Sequence, residues 1–123
     1  MDKQMILIVD DSELVLQMAR DALEEAGYET AVATTGVDAN RYIFSTRKPD
    51  LIILDVMMPM LDGDKKAKLL KEKEHIRHIP ILLLSSKPED ELRWLASEAG
   101  VEGFIRKPFT SSMIVNSVRD HLC

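Results

Sequence analysis

Leu51-Ile52-Ile53-Leu54-Asp55-Val56-Met57-Met58-Pro59 is the stretch that decides the fold. Large apolar residues run without alternation into a carboxylate, and a proline follows soon after. A run with no polar alternation suits a strand covered on both faces, as in a parallel sheet. Asp55 is where that strand reaches the surface, because Met58-Pro59 and Asp62-Gly63 are loop and turn signals. In open α/β sheets, ligands gather beyond the carboxyl ends of the strands. Taken alone, an aspartate there is more often a helix or turn cap, so the rest of the chain must separate the two readings.

Met5-Ile6-Leu7-Ile8-Val9 is a second such run and ends on Asp10-Asp11. Asp11 or Ser12 can cap the helix after it, whose apolar positions are Leu14, Val15, Met18, Ala22 and Leu23. Gly27 closes that helix as a C′ glycine. Tyr28 to Ala33 reads as a weaker strand, Thr34-Thr35-Gly36 as a turn, and Val37 to Thr46 as a helix, with Lys48-Pro49-Asp50 as the break before Leu51. Asp64 to about His75 reads as a lysine-rich helix with Ala67, Leu69, Leu70 and Ile76 as its apolar residues. Pro80 to Leu84 is a third apolar strand, ending at Ser85-Ser86. Pro88 fits the first turn of the next helix, which carries Leu92, Leu95, Ala96 and Ala99 and stops at Gly100. Gly103 to Arg106 is the last strand and ends at Lys107-Pro108; Thr110 or Ser111 then caps a helix bearing Met113, Ile114, Val118 and Leu122. Five strands alternating with five helices imply one α/β domain over residues 1–123, with a parallel sheet and right-handed crossovers.

Composition narrows the class. The 123 residues suffice for a real core, and 46% hydrophobic with 30% charged residues is ordinary for a folded soluble chain. A formal charge of −5 argues against direct nucleic-acid binding, and no apolar run is long enough to span a membrane. The apolar run after Met1-Asp2-Lys3 ends too early for a signal peptide, and Cys123 is the single cysteine, so an internal disulfide is excluded. The expected setting is cytoplasmic.

Four strand ends carry polar groups: Asp10-Asp11, Asp55, Ser85 and Lys107. In a parallel sheet these ends share one edge. Converging carboxylates repel, which raises their pKa values unless a cation joins them. Hard oxygen donors suit Mg²⁺, with Mn²⁺ as an alternative ion, and such a site commonly bridges carboxylate to phosphate. An aspartate can act as a nucleophile toward phosphorus, and phosphoryl transfer needs mainly positioning and charge neutralisation. The roles read from this set are Asp55 as phosphoacceptor and Asp10 as direct metal ligand. Asp11 acts directly or through water, the Met57 backbone carbonyl completes the ligands, Lys107 pairs with carboxylate or phosphate, and Ser85 donates to a phosphoryl oxygen.

Val9-Asp10-Asp11-Ser12, Leu54-Asp55-Val56-Met57-Met58-Pro59, Leu84-Ser85 and Lys107-Pro108-Phe109 together resemble the response-regulator receiver domain of two-component signalling, the CheY-like family. The resemblance covers essentially the whole chain. It implies a flavodoxin-like (βα)5 doubly wound sandwich with strand order 2-1-3-4-5. It implies that Asp55 takes its phosphoryl group from a sensor histidine kinase, a histidine phosphotransfer protein or a small phosphodonor. Slow self-catalysed gain and loss of that group makes a switch, not a metabolic enzyme. The family's switch maps onto Ser85, whose hydroxyl is drawn inward, and Phe104, whose ring turns into the vacated space. The resemblance further implies a cis bond at Lys107-Pro108, positions Met57 and Lys87 flanking the phosphoryl group, and an effector face made by the last two helices and final strand. That face lies near Arg93, Phe104, Arg106 and the helix after Thr110. The oligomeric expectation is a monomer or a phosphorylation-dependent dimer.

Two rivals differ in class. A Mg²⁺-dependent aspartyl-phosphate hydrolase wants a second acid two residues past its nucleophile, where this chain has Met57. A phosphate-independent interaction module of the same fold has no need of the intact acidic set. A flavodoxin is disfavoured because two acids stand where a phosphate cradle belongs. Elsewhere the bland readings lead. Trp94 packs on the inner or shoulder face of its helix, His75 and His78 meet only water and the helix dipole, and Met57 to Met60 is loop packing. Lys65 to Glu74 is a solvated charge run, and Cys123 is a frayed end or a cut in a longer chain.

Overall fold

Strands with no polar alternation need cover on both sides, and the computed structural model places three of them at the centre of the sheet. β1 (Met5–Val9), β3 (Leu51–Asp55) and β4 (Ile81–Ser85) are buried at every residue. β2 (Glu29–Ala33) and β5 (Gly103–Arg106) form the edges, giving the all-parallel order β2-β1-β3-β4-β5. The flavodoxin-like 2-1-3-4-5 topology is therefore present. The structure describes residues 3–58 and 61–122; Pro59, Met60 and Cys123, on which loop packing and a chain end were expected, lie outside them.

Five helices cover the sheet: α1 (Glu13–Glu25), α2 (Gly36–Ile43), α3 (Gly63–Lys71), α4 (Glu89–Ala99) and α5 (Ser111–His121). On one face, Ile43 of α2, Leu70 of α3 and Leu92 of α4 pack with Leu7, Ile52 and Leu83 of the sheet. On the other, Leu16 and Leu23 of α1 and Ile114 of α5 pack with Ile8, Ile53 and Leu82. Fully burying one such side chain is worth roughly 1.5–3 kcal/mol, so the alternating strand residues anchor both layers at once. The register sets Val9 beside Leu54, Asp55 beside Leu84 and Ser85 beside Arg106, which brings all the polar strand ends to one edge.

Several local expectations change. α2 stops at Ile43 rather than Thr46, where Ser45 Oγ, with its one hydrogen, sits between the carbonyls of Tyr42 (2.9 Å) and Arg47 (2.6 Å) and turns the chain. α3 stops at Lys71 rather than His75; tight turns such as Lys73 N to Leu70 O (3.1 Å) and Ile76 N to Lys73 O (3.0 Å) follow and sink Ile76 and Ile79 into the core. Pro88 occupies the N-cap, one residue outside α4. Leu14 (71% exposed) and Met18 (47%) leave the buried face of α1 to Leu16, Ala19, Ala22 and Leu23. Of the inner and shoulder faces expected for Trp94, 60% exposure beside Asp64 and Lys68 of α3 leaves the shoulder, since Leu92, Ala96 and Ala99 already fill the inner face of α4. The expected loop after Asp55 includes a two-residue antiparallel ribbon, Met57–Met58 with Leu61–Asp62.

Candidate functional site

Each functional side chain is held by the strand end that carries it. Asp10 follows β1, and its backbone N–H donates to Ala33 O (3.1 Å). Its Oδ1 accepts from Ser12 N–H (2.9 Å), while Ser12 Oγ caps α1 by accepting from Val15 N–H (3.3 Å). The cap is thus Ser12, and Asp11 is left exposed. Asp55 ends β3, and its Oδ1 accepts from Met57 N–H (3.1 Å). Val56 N–H bonds Leu84 O (3.0 Å) and Val56 O accepts from Gly63 N–H (3.1 Å), so the chain folds back tightly over the site. A Cβ on Gly63 would collide with the Asp55 carbonyl oxygen, so only glycine fits there. Ser85 ends β4, is buried, and accepts from Lys87 N–H through Oγ (3.1 Å). Lys107 follows β5, with its N–H on Ser85 O (2.8 Å), and the Lys107-Pro108 bond is cis.

The structure brings Asp10, Asp11, Asp55 and Lys107 together. Lys107 Nζ lies 2.8 Å from Asp10 Oδ2 and 3.7 Å from Asp55 Oδ2. The first contact is an ion pair outside hydrogen-bond geometry, so buried Asp10 Oδ2 accepts no hydrogen bond from the described residues. Asp55 is raised from 3.8 to about 6. Burial is the largest cause; the Met57 N–H opposes it, the Asp10 charge adds to it, Lys107 opposes and Asp11 adds. Mutual repulsion, expected from the sequence as the cause, therefore ranks behind desolvation. Phe104 is half-buried against the layer that holds α2, α3 and α4.

A divalent cation suits this donor set. One carboxylate oxygen from each of Asp10, Asp11 and Asp55 lies within 4.8 Å of the others. All are hard donors, and Asp10 Oδ2 is a buried oxygen still lacking a hydrogen-bond donor. Met57, whose carbonyl the sequence nominated as a ligand, stands on the ribbon immediately past Asp55.

Sequence reasoning missed the surroundings of Lys107. Val15, Met18, Ser86, Lys107, Pro108 and Phe109 line an almost wholly apolar groove of about 330 Å³. The signal was present in Met18 of α1, an exposed apolar residue beyond the helix's one buried stripe.

The sequence profile of the response regulator receiver domain matches residues 6–119. Alkaline phosphatase synthesis transcriptional regulatory protein PhoP of Bacillus subtilis is 39% identical over 105 residues, 85% of this chain and 42% of that protein. Polar-differentiation response regulator DivK of Brucella ovis is 31% identical over 121 residues, 95% of this chain and 94% of that protein. Chemotaxis protein CheY4 of Vibrio cholerae superposes with a TM-score of 0.90 at 30% identity, covering 98% of this chain and 100% of that one. The chain spans less than half the length of the curated transcriptional regulators it matches.

Proposed function

The chain belongs to the response regulator receiver domain family, and from that premise we propose that it is a switch phosphorylated on Asp55. The observation that carries the reading is the pair of buried carboxylates, Asp10 and Asp55, bridged by one ammonium, that of Lys107. Asp55 Oδ2 faces Lys107 while Oδ1 is occupied by the Met57 N–H, so Oδ2 is the nucleophile. It attacks phosphorus, the P–N bond of a donor phosphohistidine breaks, and the imidazole leaves with a proton from solvent. Lys107 moves its charge from the carboxylates to the phosphoryl oxygens, and the Ser85 hydroxyl donates to another of them. Asp10, Asp11, Asp55 and the Met57 carbonyl would hold Mg²⁺, which supplies charge neutralisation for the transferred group. Phe104 then turns into the space that Ser85 leaves.

Receiver domains of this family work with histidine kinases and effector domains, as parts of signalling proteins rather than as dedicated enzymes. For this chain, the donor docks in the apolar groove beside Lys107, since a phosphohistidine must come within reach of that ammonium. An effector takes the face of α4, β5 and α5, where Arg93 and Arg106 are exposed. No helix among the described residues is long and apolar enough to cross a membrane, and the family reading places the chain in the cytoplasm.

Acetyl phosphate with Mg²⁺ should add one phosphoryl group to the wild type by intact mass and change the environment of Phe104. Asp55→Asn should show neither change; equal responses from both chains would sink the assignment.

A further inference from the structure

The hydroxyl of Ser85 is engaged with the loop that follows it. Ser85 Oγ accepts from Lys87 N–H at 3.1 Å. The other side of the same residue is held as well, because Lys87 O accepts from Arg106 Nε at 3.0 Å. Arg106 is the β5 residue in register with Ser85, and its neighbour Lys107 donates its N–H to Ser85 O at 2.8 Å. The Lys87 ammonium goes elsewhere, to Glu91 Oε1 at 3.2 Å. The loop between β4 and α4 is therefore pinned at one residue from two directions: by the hydroxyl that phosphorylation must recruit and by a guanidinium on the edge strand.

We propose that Arg106 is a positioning residue that latches the β4–α4 loop in its resting arrangement, so that a phosphoryl group on Asp55 must draw Ser85 inward against this hold. The proposal rests on the reading of Asp55 as phosphoacceptor and adds a residue to it. Ser85 can move toward Asp55 only by parting from the Lys87 N–H or by carrying the Lys87 backbone along, and Arg106 anchors the carbonyl of that residue. A contact made in one of two states biases the equilibrium by its own free energy, and the ligand that favours the other state binds more weakly by the same factor. Arg106 therefore sets how readily the switch is thrown. Because the side chain is exposed, the factor is that of one modest hydrogen bond, about 2- to 10-fold.

The test uses beryllofluoride, a phosphoryl mimic, titrated with Mg²⁺ into the wild type, Arg106→Met, Arg106→Lys and Asp55→Asn. Fluorine NMR of the bound mimic gives the midpoint, and hydrogen exchange of the Lys87 amide in the free proteins reports the latch itself. Arg106→Met keeps the aliphatic stem without the donor. It should bind the mimic about 2- to 10-fold more tightly and exchange the Lys87 amide faster, and Arg106→Lys should restore part of both. A residue of purely structural importance would not tighten binding. An unchanged or weaker midpoint for Arg106→Met, with wild-type binding intact, overturns the latch alone. A wild type that takes up no beryllofluoride overturns the Asp55 reading and the latch's purpose with it.

Discussion

The two ends of the parallel sheet treat charge in opposite ways. At the amino-terminal edge Asp50, Arg47 and Lys71 each hold a hydrogen-bond or ion-pair partner. Asp50 Oδ2 accepts from Met5 N–H (2.7 Å), and Arg47 makes a two-pronged contact with Glu29 (2.6 and 3.1 Å). Lys71 joins Arg77 O, Ile79 O and Glu102, whose other oxygen accepts from Ile81 N–H. At the carboxyl-terminal edge three carboxylates cluster, and two of them, Asp10 and Asp55, face the ammonium of Lys107. The pKa directions follow: Glu29 is lowered, first by its hydrogen bond to Arg47, whereas Asp55 is raised, first by burial. One edge closes its charges to hold the fold, and the other leaves a deficit of positive charge that a cation and a phosphoryl group can use.

Removing a cation from the closed edge should give the largest loss of stability. Lys71 Nζ is nearly buried and serves two carbonyls and a carboxylate, all of which lose their donor in Lys71→Met. We expect a destabilisation of about 2–4 kcal/mol by urea unfolding, with beryllofluoride affinity unaltered at the far edge. A loss of affinity without a loss of stability would erase the contrast between the edges.

Removing a charge from the open edge should do the reverse. A carboxyl raised in the folded state keeps its proton where the unfolded chain has already lost it. Folded Asp55 therefore costs stability as pH rises from about 4 to about 6, and above that the whole penalty is present. Asp55→Asn, neutral at every pH, should be more stable than the wild type by up to ~3 kcal/mol at pH 7.5 without Mg²⁺. The gap should close as pH falls toward 4 and narrow when Mg²⁺ is added to the wild type. Equal stability of the two chains from pH 4 to pH 8 would show that the Asp55 charge is not buried at a cost.

The sequence disclosed the layout of the open edge because strand ends are written locally. An unbroken apolar run followed by a polar residue locates Asp10, Asp55 and Ser85 without knowledge of their neighbours. The closed edge was silent, since Lys71 meets Glu102 across 31 positions and Arg47 meets Glu29 across 18. Helix ends failed for a related reason: the termini of α2 and α3 depend on Ser45 turning the chain and on Ile76 having a core to enter. Gly63 was legible as a turn residue but not as a close neighbour of the Asp55 carbonyl, which only the packed chain shows. Trp94 was placed only as far as an inner or shoulder face, because periodicity does not choose between them until the smaller residues of α4 have filled the inside. Lys87 drew notice only as a position flanking the phosphoryl group, although its backbone makes the contacts to Ser85 and Arg106.

The smallest expected effect divides cap from site within three residues. Asp10, Asp11 and Ser12 are all residue types that begin helices, and from sequence any acid among them could have been a cap and nothing more. The structure gives the side-chain cap to Ser12, whose Oγ accepts from Val15 N–H, while its backbone N–H orients Asp10 Oδ1. These two duties sit on different atoms and can be separated. Ser12→Ala deletes the cap and keeps the N–H, so unfolding free energy should fall by about 1 kcal/mol. Phosphorylation by acetyl phosphate should proceed at the wild-type rate, because nothing that holds Asp10 has been removed. A variant that keeps its stability but loses phosphorylation would move the Ser12 hydroxyl from the helix into the metal site, and the division between structural and functional charge would have to be redrawn around it.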